Sequence, residues 1–214
     1  MRPIIVSYAP SILDRDGISL SQTPAGAGNL TITGAFATGG VATLGGQQVV
    51  GIYSGGDVSN RTFSVYGYDR NMNAVSQTGI TGPNATTVST SALFYKVTQI
   101  AISGAAGSAV EVGTTGLGSS QPYPLNLAVS GTPSTAVAIQ AVAGGTYKMQ
   151  ITYDDIWASG WSTGTQNWTD DSNMTGKTAA YATVLTTLPQ ALRFVITTAG
   201  SPQGITGNIT QAGA

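Results

Sequence analysis

Carboxylates are the first side chains in this chain to weigh for chemistry, and there are nine: Asp14, Asp16, Asp57, Asp69, Glu111, Asp154, Asp155, Asp170 and Asp171. The doublets Asp154-Asp155 and Asp170-Asp171 offer the hard oxygens that calcium takes. Neither has the spacing of a calcium loop, and Asp at a strand end more often accepts backbone N–H bonds in a turn. Glycoside hydrolysis needs two carboxyls at a set separation. Neighbours on a strand point to opposite faces, so neither doublet supplies that pair by itself. The chain contains no His and no Cys. Its serines therefore lack an imidazole to activate them, and nothing points to Lys96, Lys148 or Lys177 as a substitute base. Disulfides and thiolate zinc sites are excluded. Gly39-Gly40 and Gly45-Gly46 fit turns, and no phosphate-binding loop pattern is present. The expectation is a protein that is not an enzyme, with no catalytic residues, no cofactor and no metal.

Aromatic residues make the other local cluster. Trp157, Trp161 and Trp168 are the chain's three tryptophans, and they fall in one Gly/Ser/Thr/Asn-rich segment. Indoles can stack on sugars or anchor a protein interface. The plainer reading is a loop folded back to cover one end of a β-domain. The interface or covering roles are favoured over sugar binding.

The elements that would carry these residues are strands. In Tyr147 to Tyr153 apolar and polar residues alternate without a break. Leu192, Phe194 and Ile196 face one way, Arg193 and Thr197 the other. A period of two puts one set on a core face. Val, Ile, Thr, Tyr and Phe suit a pleated surface, and Gly-Gly pairs and prolines separate the runs. Candidate strands lie near 29–37, 47–53, 61–68, 73–80, 85–90, 93–102 and 109–113. A second set lies near 124–130, 135–142, 146–153, 178–184, 190–198 and 204–211. Residues 113–124 read as a linker or long crossover. The fold expected is all-β, with two β-sandwich domains, jelly-roll-like or Ig-like, and an extended N-terminal arm. The boundaries are 1–22 for the arm, 23–115 for the first sandwich and 116–214 for the second. Asn29–Gly34 resembles Asn126–Gly131, and Ile80-Thr-Gly82 resembles Met174-Thr-Gly176 at a similar offset, which raises a tandem repeat. Ile4, Ile5, Val6 and Tyr8 read as docking residues of the arm, an ordinary first strand being the plainer alternative.

Composition sets the remaining bounds. The chain has 214 residues, 41 % hydrophobic and only 8 % charged, with a net charge of −1. Its mean hydropathy is slightly positive. A basic footprint for nucleic acid is missing, as is a polybasic membrane anchor. The apolar run Ile4–Val6 is too short for a signal-peptide core or a membrane span. Six Asn-x-Thr sequons are read as chance in a Thr-rich chain. So neutral a surface gives weak colloidal repulsion and suits life in an assembly.

Several phrases, in order along nearly the whole chain, resemble a family of structural proteins of tailed bacteriophages. They include Asp16-Gly-Ile-Ser-Leu-Ser-Gln22, Ala27–Gly34, Gly40-Val-Ala-Thr-Leu44, Ile80–Ala85 and Lys96–Gly104. Val110-Glu-Val-Gly113, Thr152-Tyr-Asp-Asp155, Met174-Thr-Gly176, Leu192–Thr197 and Ile209-Thr-Gln-Ala-Gly213 continue the likeness. Two segments depart from the pattern: Asn71–Thr78, and the Trp loop 157–168. The resemblance implies a virion protein made in the host bacterial cytoplasm. Capsid decoration, or cement, is the role it fits best, with the major capsid protein and copies of itself as partners, a trimer being the symmetry considered. A head–tail neck or tail/fibre component is the alternative, and a glycan-binding module using the three Trp is a further one. The interface candidates are Ile4, Ile5, Val6, Tyr8, Trp157, Trp161 and Trp168.

Overall fold

A computed structural model describes residues 3–127, 134–142, 145–158, 167–200 and 204–212. The protein is all-β; among the described residues 61 % are strand and none is helix. The strands run β1 (Ile4–Tyr8), β2 (Asp14–Gln22), β3 (Gly28–Asn29), β4 (Ala37–Thr38) and β5 (Val41–Ser54). Next come β6 (Thr62–Tyr68), β7 (Ala74–Thr81), β8 (Thr87–Ile102), β9 (Val110–Ser119) and β10 (Tyr123–Pro124). The last six are β11 (Ser134–Val142), β12 (Thr146–Thr152), β13 (Thr169–Asp170), β14 (Tyr181–Leu185), β15 (Ala191–Thr198) and β16 (Ile205–Ala212). Their ladders are antiparallel and form two sheets.

The chain divides into two compact units. One is discontinuous, Met1–Pro10 with Leu117–Ala214; the other, Ser11–Gly116, is inserted between its two pieces. Residues 1–22, read from sequence as an arm, thus hold β1 in one unit and β2 in the other. Segment 113–124, expected as a linker or crossover, is strand for most of its length. Gly113 explains why: a Cβ there would fall on the Asp14 carbonyl oxygen and crowd Arg15. Only the bare glycine backbone lets β2 lie this close to β9.

In the discontinuous unit a four-stranded sheet has the order β1-β16-β11-β14. Strand β1 pairs with β16 in register Ile4↔Ile209 to Tyr8↔Ile205. The strands β12, β15, β10 and β13 also belong to this unit, β15 pairing with β12, with β10 and with Gly118 and Ser119 of β9. Both sets send side chains into one cluster. Val6, Tyr8, Val137, Ile205 and Ile209 come from the four-stranded sheet, and Tyr123, Tyr147, Met149, Leu192 and Phe194 from the other strands. The Tyr123 and Phe194 rings meet edge to face, with centroids 6.2 Å apart.

The inserted unit is built on the order β9-β5-β8-β6-β7, with β2 on β9, β3 on β8 and β4 on β5. Its core gathers Ile18, Leu44, Val50, Ile52, Phe63, Phe94, Val97 and Ile100, all essentially inaccessible to solvent. The long strands β5 and β8 shift register twice along their shared ladder. One shift is bridged by a polar device: Thr90 Oγ1 accepts the Val50 N–H at 3.0 Å and donates to the Ala92 carbonyl at 2.8 Å. Leu30 and Ile32 are buried between exposed neighbours, so the alternation read from sequence over 29–37 holds there. Between its ends in β3 and β4, however, the stretch 30–36 is not ladder strand; Leu30, Gly34 and Phe36 donate single N–H bonds to Ile100, Ile18 and Gly17.

Candidate functional site

The docking candidates of the first strand separate by the pleat. Val6 and Tyr8 are buried in the core of the discontinuous unit, Ile4 is partly buried against it, and Ile5 points outward, 69 % exposed. Burial pushes the Tyr8 hydroxyl well above the ordinary tyrosine range, with Tyr123 adding to the effect. The tryptophans separate as well. Trp157 is exposed, Trp168 is half-buried against Ile156 and Ala191, and Trp161 lies outside the described residues.

Around Trp168 the strands β12, β13 and β15 assemble polar side chains that motif reading did not single out. Ladder register places Gln150 opposite both Asp170 and Arg193. Arg193 donates from Nε to Gln150 Oε1 at 2.9 Å, and Gln150 donates from Nε2 to Asp170 Oδ1 at 2.7 Å. Lys148 Nζ donates to Asp170 Oδ2 at 2.8 Å. The Arg193 guanidinium carbon sits 4.2 Å from the centroid of the Trp168 ring. A guanidinium over an indole contributes about 0.5–2 kcal/mol, more as water is excluded.

Arg193 is an outward residue of β15 made inward by its cover. It is only 9 % exposed. Burial pulls its pKa from 12.5 down to about 10, with Asp170 opposing the fall, so it stays charged at neutral pH. Asp170 remains partly open to water. Its burial works against the charge, but hydrogen bonds from Lys148 and Gln150 and the charges of Lys148 and Arg193 outweigh that and hold it below the usual carboxylate value. Two donors of the stack, Arg193 Nη1 and Trp168 Nε1, are shielded from solvent and have no hydrogen-bond partner among the described residues.

The remaining carboxylates nearby are committed to backbone N–H groups. Asp154 accepts the Asn167 N–H at 2.8 Å, and Asp155 accepts that of Trp157 at 2.9 Å. Asp171 accepts from Asn173 and Met174. Among the described residues no three acidic side chains gather as a metal site would need. The only Glu of the chain, Glu111, faces Arg15 at 3.7 Å, and Arg15 lies 3.1 Å from the Tyr53 ring centroid. The cavity beside them, lined in part by Leu13, Arg15, Tyr53 and Thr115, measures about 30 Å³, enough for about one water.

Arg193 was visible in sequence as a lone cation in an apolar strand, but alternation alone placed it in solvent. Its burial depends on Trp168, which stands immediately before β13. No family model matches the chain, and neither a curated protein nor a solved structure does.

Proposed function

We propose that this chain is a structural protein of a bacteriophage virion, acting by surface docking. In this reading it is a capsid decoration, or cement, protein, bound to the major capsid protein and to copies of itself as a homo-oligomer. It is made in the host bacterial cytoplasm and ends on the capsid exterior. The two units would be sandwich-like domains, with the N-terminal residues serving as a docking segment.

One observation carries the reading: none of β1, β11, β14 and β16 contains a charged residue. The sheet they form presents Ile5, Ala136, Ala182, Val184, Thr206 and Thr210 outward, with Ile5 69 % and Val184 54 % exposed. Soluble proteins ordinarily blunt sheet edges with charge, above all Lys. A sheet face without charge is suited to lying on another protein, since charged residues are depleted in the cores of interfaces. Binding of this kind stabilises a shell by mass action, because the ligand favours the assembled state. Repetition round a symmetry axis adds avidity. The order of phage-like sequence phrases supplies the identity of the assembly.

Quantitative proteomics of purified virions tests the proposal. Decoration predicts on the order of hundreds of copies per particle, as expected for a protein spread over a symmetric shell. About a dozen or fewer would move the chain to the neck or tail, whose rings have low copy number.

A further inference from the structure

The two units repeat one pairing order. In the inserted unit β2, β9, β5 and the first part of β8 are laddered in that sequence, as β1, β16, β11 and β14 are in the other. The last part of β8 pairs with β3 and with β6, which carries β7. In the same way β15 pairs with β10 and with β12, which carries β13. A glutamine amide clamps one backbone residue in each unit, Gln22 on Thr31 and Gln211 on Asn126. One difference separates the repeats. Strand β2 runs on into the rest of its unit, whereas its counterpart β1 is cut off from β10 by the whole inserted unit. The continuous piece Leu117–Ala214 thus has no first strand of its own and takes Ile4–Tyr8 in that place, with Val6 and Tyr8 buried in its core.

We propose that β1 is a donor strand exchanged between copies: Ile4–Tyr8 of one copy completes the discontinuous unit of a second by pairing with its β16. The occupant is a copy of this chain because the seat on β16 already fits this segment, in register from Ile4↔Ile209 to Tyr8↔Ile205. Three features favour exchange. First, β1 is an edge strand whose described ladder is with β16 alone, and no residue from Pro3 to Leu13 is charged, so the charge that keeps sheet edges apart is missing. Second, the joint is short. Ser11 and Ile12 are fixed within the inserted unit, the Ser11 carbonyl accepting from Gln48 Nε2 at 2.8 Å and the Ile12 carbonyl from Thr114 Oγ1 at 2.6 Å. That leaves Ala9 and Pro10 as the pivot, and proline fixes its own φ. A short, stiff hinge favours exchange over closure within one chain. Third, Ile12 and Leu13, just past the pivot, are 55 % and 58 % exposed; the hinges of two exchanged copies running side by side would cover them. Ladder and core are the same in both forms, so hinge and copy density set the balance. The inference gives the homo-oligomer of the proposed function its joint and rests on that part of the reading, not on the virion.

Disulfide trapping provides the test, since the chain has no Cys of its own. Ile5 and Asn208 are register partners with side chains on the outward face, and such neighbours lie within the reach a disulfide needs. Unlabelled Ile5→Cys is refolded together with isotope-labelled Asn208→Cys and oxidised. Exchange predicts a covalent dimer of one labelled and one unlabelled chain, joined through positions 5 and 208, in excess of the like-with-like dimers. Mass spectrometry reads it. Wild type should be oligomeric by light scattering. A Gly-Ser-Gly-Ser insertion between Pro10 and Ser11 should shift it towards monomer, because a slack hinge lets β1 close on its own unit. In the double variant Ile5→Cys/Asn208→Cys, linkage only within single chains overturns the proposal. If wild type is then still oligomeric, the homo-oligomer stands and only this joint falls; a monomeric wild type removes both. Circular dichroism checks the sheet content of every variant.

Discussion

Val6 stands opposite Gly207 in the β1–β16 ladder, so the first strand of the chain is held by the last. Val6 is fully buried, whereas its neighbour Ile5 is 69 % exposed. All three tryptophans belong to the same discontinuous unit as this pair and none to the inserted one. Tryptophan fluorescence therefore reports on that unit. Val6→Ala should destabilise the fluorescence-detected unfolding by about 2 kcal/mol, the cost of removing buried methyls and leaving a small void. Ile5→Thr, on the outward face, should stay within about 0.5 kcal/mol. Equal effects of the two substitutions would mean that β1 is not packed as described.

Gly113→Ala is expected to destabilise the inserted unit by more than about 2 kcal/mol, because its methyl meets backbone atoms of Asp14 and Arg15 that cannot simply rotate away. Gly107 has open space where a Cβ would go. Gly107→Ala should be near neutral. Urea unfolding followed by circular dichroism compares the two directly.

The β6–β7 turn rests on Asp69, which is fully buried. Its Oδ1 accepts the N–H groups of Asn71 and Asn73, both at 2.9 Å, and its Oδ2 accepts Asn73 Nδ2 at 3.1 Å. Asp69→Ala strands these donors and should cost about 2–4 kcal/mol. Asp69→Asn keeps one acceptor oxygen and should lose less. Hydrogen exchange at Asn71 and Asn73 is the local readout, with faster exchange in Asp69→Ala than in Asp69→Asn.

Asp170 gives the discontinuous unit an acid-sensitive element. Its pKa is lowered from 3.8 in the folded chain, so ionised Asp170 favours folding. That contribution is complete above 3.8 and fades as pH falls through the lower folded value. Asp170→Asn should therefore be less stable than wild type at about pH 6. The gap should close in acid, where the wild-type carboxyl is protonated and resembles the amide. A gap that widens on acidification would contradict the described contacts with Lys148 and Gln150. Chemical denaturation followed by tryptophan fluorescence at a series of pH values measures it.

How much could be read before folding differs from strand to strand. The unbroken alternation from Tyr147 to Tyr153 specified β12 and its faces: Tyr147 and Met149 are buried, while Lys148 and Gln150 look towards Asp170. The all-β class was legible for the same reason, since period-two patterning is a local property of the chain. So was the turn chemistry of one member of each Asp doublet, Asp155 and Asp171, which accept backbone N–H groups two or three residues on.

Partner choice was not local. Nothing within Ile4–Tyr8 names Ile205–Ile209 as its mate, because a ladder is chosen by the whole set of competing strands. Nor could composition distinguish a Gly-rich linker from the β9 strand, where Gly113 serves close approach to β2. Arg193 is the clearest case. The sequence by itself determined that it projects from the apolar face's opposite side. Only the tertiary structure decided that this side would be covered, because Trp168 packs over it from the loop beyond β12. Side-chain direction follows from backbone pleat, but solvent exclusion is made by elements far apart in the chain.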